Sequence, residues 1–85
     1  MACVKPDGSL TALGRAVLEA LVAGDGGGEV GSAAEEIVAE AVDKPLYLIR
    51  SILRELAGYG LAEPDPDGEN RHRITDDGRE KLDLP

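Results

Sequence analysis

Residues 32–56 read SAAEEIVAEAVDKPLYLIRSILREL and carry the pattern of two helices joined by a tight connection. Apolar side chains recur every three or four positions in both halves, which is the spacing of one helix face. Asp43 and Lys44 leave room only for a short turn between them. Pro45 suits an early helical position, because its φ angle is fixed and its missing amide is not needed there.

The second helix of this pair, predicted over residues 44–57, has two distinct faces. Its apolar stripe is predicted to belong to the core and comprises Leu46, Ile49, Leu53 and Leu56, supported by Ile52. A polar stripe on the other side comprises Tyr47, Arg50, Ser51 and Arg54. Gly58 and Gly60 are predicted to end the helix, Gly60 with a positive φ angle.

The first helix of the pair is predicted to begin at Ala33 and to run to about Val42. The letters SAAE, residues 32–35, match a capping box, in which the Ser hydroxyl accepts from the amide three residues on and Glu reaches back. The predicted apolar face holds Ile37, Val38, Ala41 and Val42, and the opposite face holds Glu35, Glu36 and Glu40. We interpret these three carboxylates as a solvated face and not as a metal site.

Before this pair, Ser9 is the predicted N-cap of a helix from Leu10 or Thr11 to Ala23. The glycine cluster GDGGG, residues 24–28, ends it. A phosphate-binding loop is disfavoured, because no Lys-Ser/Thr follows the cluster and no strand of useful length precedes it. Glu29 and Val30 are predicted to form a short strand.

After the pair, residues 61–74 have the composition of a β-hairpin. The predicted strands are 61–63 and 71–74, around a turn rich in Pro, Asp and Gly that contains Asp65, Asp67 and Glu69. The period of two places His72 and Ile74 on one face and Arg71 and Arg73 on the other.

A short C-terminal helix is predicted to follow, from Asp76 to Leu82, with Thr75 as its N-cap and Leu82 facing inward.

The lone histidine, His72, is interpreted as a partly buried packing residue of the strand and not as a pH switch, because the sequence places no acid or nucleophile to work with it.

Length and composition limit the classes of function. The 85 residues contain no Trp, no Phe and two Tyr, so we expect one small aliphatic domain over 1–85, with 1–8 as a flexible N-terminus. The single cysteine, Cys3, cannot form an internal disulfide, which favours a cytoplasmic location. No segment is long enough to span a bilayer. We expect no cofactor, no metal and no enzymatic activity, because no catalytic arrangement is recognisable.

The charge is unevenly distributed. The formal net charge is −8, and seven of the nine Lys and Arg residues come after residue 43. An acidic protein is disfavoured as a non-specific nucleic-acid binder. Any basic surface must therefore be formed by the second half of the chain.

The order helix, short strand, helix, turn, helix, hairpin, helix resembles the winged helix-turn-helix plan. The unit at 32–56, the exit GYGLAE at 58–63 and the close RHRITDDGREKL at 71–82 match it. The chain is similar, from Leu10 to Leu82, to winged-helix regulators of bacteria and archaea, including the multiple-antibiotic-resistance-repressor-like type. The resemblance implies a mainly α fold with a small β-hairpin (α+β), in which three core helices carry a wing and a short C-terminal helix.

The resemblance further implies binding to double-stranded DNA by a transcriptional regulator, often a homodimer. Helix 44–57 would enter the major groove and hairpin 61–74 would be the wing. The nucleic-acid contacts would be Lys44, Tyr47, Arg50, Ser51, Arg54, Arg71 and Arg73. The alternative is a winged-helix module that binds a protein partner through Tyr47 and Leu48, without DNA binding.

Overall fold

The computed structural model describes residues 5, 9–25, 30–66 and 68–82. The elements follow one another as α1 (Ala12–Ala23), β1 (Ser32–Ala34), α2 (Glu35–Val42), α3 (Leu46–Gly58), β2 (Ala62–Pro64), β3 (Arg71–Ile74) and α4 (Asp76–Lys81). The strands form an antiparallel sheet in the order β1-β3-β2. The predicted α+β winged-helix fold is confirmed.

The core lies where α1 and α3 meet the sheet. Side chains of both helices are fully buried there: Val17, Leu18 and Leu21 from α1, and Ile49, Ile52, Leu53 and Leu56 from α3. Ile74 of β3 and Leu82 after α4 close the core at its edge. The predicted inward stripe of α3 is confirmed except at Leu46, which is only half-buried.

The predicted capping box is wrong, because Ser32 to Ala34 form strand β1 and α2 begins only at Glu35. Pairing with β3 satisfies this backbone instead. The amide of Glu35, which Ser32 was expected to cap, donates to the carbonyl of Asn70 at 2.8 Å. The strand predicted at Glu29 and Val30 is also misplaced. Val30 lies in a turn and is 84% exposed, whereas Glu29 is outside the described residues.

The buried face of α2 differs from the predicted one. Val38 is fully buried, and Ala39 and Val42 pack against the core. Ile37, predicted inside, is 40% exposed, and Glu35, predicted outside, is 7% exposed. The inward face therefore follows positions 35, 38, 39 and 42, a helical spacing that the apolar residues alone did not indicate.

Two helix ends rest on left-handed residues. Asp43 has φ 61°, ψ 50°, and the amide of Lys44 donates to Ala39 O at 3.1 Å, which closes α2 tightly before α3. At the end of α3, Gly60 has φ 75°, as predicted, and the amide of Leu61 donates to Leu56 O at 3.0 Å.

The N-cap predicted for α4 is confirmed, whereas the N-cap predicted for α1 is wrong. α1 is capped by Thr11 and not by Ser9, since the Thr11 hydroxyl accepts from the Gly14 amide at 3.1 Å. Thr75 caps α4 as predicted, accepting from the Gly78 amide at 3.0 Å. Its hydroxyl also donates to Gly60 O at 2.6 Å, which ties α4 to the end of α3.

Some predictions fall outside the described residues: the flexible N-terminus over 1–8 apart from Lys5, the role of Cys3, and the glycine cluster beyond Asp25. Among the residues that are described, no helix has the length and apolarity needed to cross a membrane.

Candidate nucleic-acid interface

The outer face of α3 presents the predicted polar stripe to solvent. Tyr47, Arg50, Ser51 and Arg54 are all exposed, Tyr47 to 76%. Positions 47, 50, 51 and 54 are separated by three or four residues, so they lie on one side over two turns. Lys44, also exposed, precedes the helix by two residues. Leu48, in contrast, is half-buried and packs against the core.

Arg50 is held from below by Glu35, the first residue of α2. Glu35 Oε1 accepts from Arg50 Nε at 3.1 Å, with the carboxylate side chain 9% exposed and the arginine side chain 48% exposed. The contact leaves both terminal nitrogens of Arg50 without a partner within the described part of the chain. The ion pair therefore orients the guanidinium and leaves its two terminal NH₂ groups available as hydrogen-bond donors.

A cleft of about 350 Å³ separates α3 from the hairpin. Arg50 and Arg54 line it on the helix side, Asn70 and His72 line it on the hairpin side, and Glu35 of α2 also lines it. His72 Nδ1 lies 3.8 Å from Glu35 Oε2 and is buried, with no hydrogen-bond partner among the described residues. Burial lowers the pKa of His72, and the nearby Glu35 charge opposes this shift only in part, so burial favours the neutral imidazole.

Arg71 lies on the opposite face of β3 from His72 and belongs to a separate polar cluster. Its Nη1 donates to Asp25 Oδ2 at 2.6 Å and its Nη2 to Asp25 Oδ1 at 3.1 Å. Asp25 Oδ2 also accepts from the Ala34 amide at 3.1 Å. The hydrogen bond to Asp25 raises the pKa of Arg71. Arg71 thus ties the segment after α1 to the hairpin.

Ser32 and Asp65 complete this cluster. The Ser32 hydroxyl donates to Asp65 Oδ2, and Arg71 Nε lies 3.9 Å from the same oxygen. Asp65 is therefore 8% exposed and directed inward, although its sequence context suggested a solvated turn carboxylate. Glu69 of the same turn is exposed, and Asp67 lies outside the described residues.

Arg73 is the more accessible of the two predicted wing arginines. Its Nε donates to Glu63 Oε1 at 2.7 Å across the β2–β3 pair, and the side chains are 37% and 46% exposed. The structure thus places the α3 residues on one continuous surface. It places Arg71 and Arg73 on the other face of the sheet, each already paired with a carboxylate.

Sequence reasoning missed Glu35, His72 and Asn70 as parts of this region. The contact between Glu35 and Arg50 joins residues 15 positions apart, and the contact between Asp25 and Arg71 joins residues 46 apart. No local pattern marks such pairs. The alternation of the β3 strand was the one available signal, since it separates His72 from the two arginines.

Comparison with known proteins supports the fold. No protein-family model matches the sequence, and no curated protein matches it closely. The chain is similar to one in a solved structure that concerns the mechanism for regulation of DNA binding of Bordetella bronchiseptica BpsR by 6-hydroxynicotinic acid. The TM-score is 0.70 at 22% identity, and the match covers 95% of this chain but 59% of that one. This chain thus has the fold of a part of that longer protein.

Proposed function

We propose that this chain is the DNA-binding domain of a transcriptional regulator, with α3 in the major groove and the hairpin as a wing. Two observations support the proposal: the winged-helix arrangement shared with BpsR, whose DNA binding is regulated, and the exposed polar face of α3. The observation that carries it is that Arg50 and Arg54 lie one turn apart on this face, beside Tyr47 and Ser51.

The chemistry of this face fits duplex DNA. An arginine fork donates to two acceptors at once and matches a guanine edge or a phosphate. Hydroxyl groups such as those of Tyr47 and Ser51 donate to phosphate oxygens. Lys44 extends the cationic surface at the start of α3, where the unpaired amides of a helix also favour an anion.

Three of the 17 acidic residues lie beside arginines of α3 and the hairpin. Glu35 is paired with Arg50, and Asp25 and Asp65 are buried beside Arg71. These three acids therefore present little negative charge to the proposed surface. We expect a protein with a net charge of −8 to bind non-specific DNA weakly, so that base contacts decide its affinity for a particular site.

The hairpin contributes less to contact than α3 in this proposal. Arg73 reaches a phosphate by giving up or sharing its contact with Glu63. This ion pair is half-exposed and therefore weak in water. Arg71 contacts DNA only through the part of its side chain that remains accessible, 17% of it, and mainly fixes the hairpin.

We further propose that the protein binds DNA as a homodimer. One module of this size buries a small area on DNA, and two modules related by a two-fold axis read two half-sites one helical turn apart. Sedimentation of the protein with and without a duplex tests this directly. A strictly monomeric protein bound singly to DNA would contradict the dimer but not the role of α3.

The experiment that tests the proposal compares Arg54→Ala with Arg15→Ala. Both remove one exposed arginine, Arg54 from the α3 face and Arg15 from α1. Using fluorescence anisotropy with a labelled random-sequence duplex at low salt, we expect Arg54→Ala to weaken binding by about 1 kcal/mol or more, roughly fivefold. Arg15→Ala should bind like the wild type. Equal losses in both variants would show that binding depends only on the net charge of the protein, and this would count against a defined interface on α3.

A second candidate, binding of a protein partner, rests on the 76% exposure of Tyr47, since exposed Tyr beside Arg is typical of protein interfaces. The contribution expected from Leu48 is reduced, because Leu48 packs against the core. Light scattering and cross-linking of wild type and Tyr47→Ala distinguish this candidate: self-association that Tyr47→Ala abolishes supports it, and a monomer at all concentrations argues against self-recognition.

A further inference from the structure

The residues that line the cleft between α3 and the hairpin are suited to binding an anion. Its volume of about 350 Å³ accommodates a phosphate group and water. Arg50 and Arg54 contribute two positive charges and Glu35 one negative charge, so the cleft is positive overall with His72 neutral. Asn70 adds no charge, and the remaining lining residues, Ala57 and Pro64, are apolar.

The arginines of the cleft are available to a ligand. Only Nε of Arg50 is engaged, by Glu35, and in the part of the chain that is described Arg54 makes no ion pair. The Glu35 side chain is 9% exposed, whereas the Arg50 side chain is 48% exposed and Arg54 is exposed, so both arginines are more accessible to solvent than the acid. An incoming anion therefore meets guanidinium groups before it meets the carboxylate.

His72 is the group whose protonation would respond to such an anion. Its Nδ1 is buried, has no hydrogen-bond partner in the described part of the chain, and lies 3.8 Å from Glu35 Oε2. The charged groups that face it are Glu35 from α2 and Arg50 and Arg54 from α3, while its β1 partner is Ala33. Its strand neighbours Arg71 and Arg73 lie on the opposite face. Buried polar atoms normally have partners, so an unpartnered imidazole nitrogen invites a functional account.

We infer that this cleft holds one backbone phosphate of bound duplex DNA, between Arg50 and Arg54, and that His72 takes up a proton when the phosphate enters. The inference rests on the proposed function and adds His72 and Glu35 to its site. The phosphate brings negative charge close to the imidazole, which stabilises the imidazolium. Glu35 then lies between two cations, Arg50 and protonated His72, and DNA binding is coupled to pH.

His72 is the one histidine of the chain, so its ring signals in an NMR pH titration need no assignment by mutation. We would titrate the protein alone, with inorganic phosphate, and with a random-sequence duplex at low salt. The inference predicts that the duplex raises the pKa of His72 by about one unit, which corresponds to about a tenfold change in affinity across the titration. Inorganic phosphate should raise it less, because a free ion is not positioned by the rest of the duplex.

The outcomes separate the inference from the proposed function. Amide shifts in α3 with an unmoved His72 pKa overturn the inference and leave DNA binding intact. A complete lack of DNA-induced shifts removes both. A rise with inorganic phosphate that equals the rise with DNA identifies the cleft as a site for free phosphate and overturns its assignment to DNA.

Two variants test the roles of the side chains. The inference predicts that DNA binding by the wild type strengthens between about pH 7.5 and pH 5.5, and that His72→Gln removes this strengthening. Arg54→Gln should reduce the DNA-induced rise in the His72 pKa, whereas the control Arg15→Gln should not. Circular dichroism establishes that each variant is folded. If Arg54→Gln leaves the DNA-induced rise unchanged, the phosphate does not lie in this cleft.

Discussion

Glu35 Oε1 accepts a hydrogen bond from Arg50 Nε at 3.1 Å, and this contact joins the first residue of α2 to the exposed face of α3. The carboxylate is nearly buried, whereas the arginine is about half exposed. An acid that lies beneath a cation in this way fixes the direction of the guanidinium without occupying its terminal nitrogens. The relationship connects the packing of the two central helices to the surface that we propose binds DNA.

Replacing Glu35 tests the structural side of this relationship. Glu35→Ala leaves the Arg50 guanidinium without its partner, and we expect the free energy of unfolding to fall by about 1 kcal/mol, a value reduced by the exposure of Arg50. Glu36→Ala is the matched control, because Glu36 is exposed at the next position of the same helix. Urea denaturation gives both values. A Glu35 variant as stable as the Glu36 variant would show that the pair contributes nothing to folding.

The two hairpin arginines should differ in their effect on stability. Arg71→Ala removes the cation that pairs with the buried carboxylates of Asp25 and Asp65, and we expect the free energy of unfolding to fall clearly. Arg73→Ala removes a half-exposed pair and should cost less than about 1 kcal/mol. Arg71→Lys keeps the charge but loses the two-pronged contact, and its stability should lie between the two. Chemical denaturation measures all three, and equal losses for Arg71→Ala and Arg73→Ala would contradict the assignment of Arg71 to the hairpin framework.

Gly78 of α4 should be irreplaceable, in contrast to Gly58 of α3. A Cβ atom at Gly78 would lie 2.1 Å from Leu61 O and 2.7 Å from Ile74 Cγ1, so backbone would have to move. We expect Gly78→Ala to lower the free energy of unfolding by about 1–3 kcal/mol. At Gly58, the last residue of α3, a Cβ meets nothing within 4 Å, and Gly58→Ala should raise the free energy of unfolding by up to about 1 kcal/mol. Thermal unfolding followed by circular dichroism shows whether the two changes have opposite signs.

Stability should depend on pH through His72. Burial is the larger cause that lowers the pKa of His72, so the unfolded chain, with a histidine pKa of about 6.5, binds a proton at higher pH than the folded chain does. The free energy of unfolding therefore falls as the pH drops below about 6.5, until the folded form is also protonated. His72→Gln removes this dependence, since the chain has no other histidine. Urea denaturation at several pH values between about 5 and 8 measures it, and identical slopes in both proteins would contradict the buried neutral imidazole.

The sequence predicts most of the elements because their signals are local. The three-four spacing of apolar residues places α3 and its inward face, the turn residues place the hairpin, and the cap residue Thr75 places α4. Gly60 ends α3 with a positive φ because only glycine adopts that conformation freely.

The errors and omissions arise where distant parts of the chain compete with a local signal. Residues 32–35 match a capping box, yet pairing with β3 takes the backbone of Ser32 into a strand and the amide of Glu35 to Asn70. Glu35 is buried and contacts Arg50, and no local pattern reveals this contact. The exposed face of α3 was predicted residue by residue, whereas the cleft beside it required the position of His72 in space.

An amide chemical-shift map of the protein with a random-sequence duplex at low salt, at roughly 100 µM protein, tests whether α3 contacts DNA. We predict that the DNA-induced shifts concentrate in residues 44–54 and near 70–73, and that they shrink steeply with added salt, because phosphate contacts release counterions. An absence of shifts in α3, or shifts confined to α1 and α4, would show that α3 does not bind DNA.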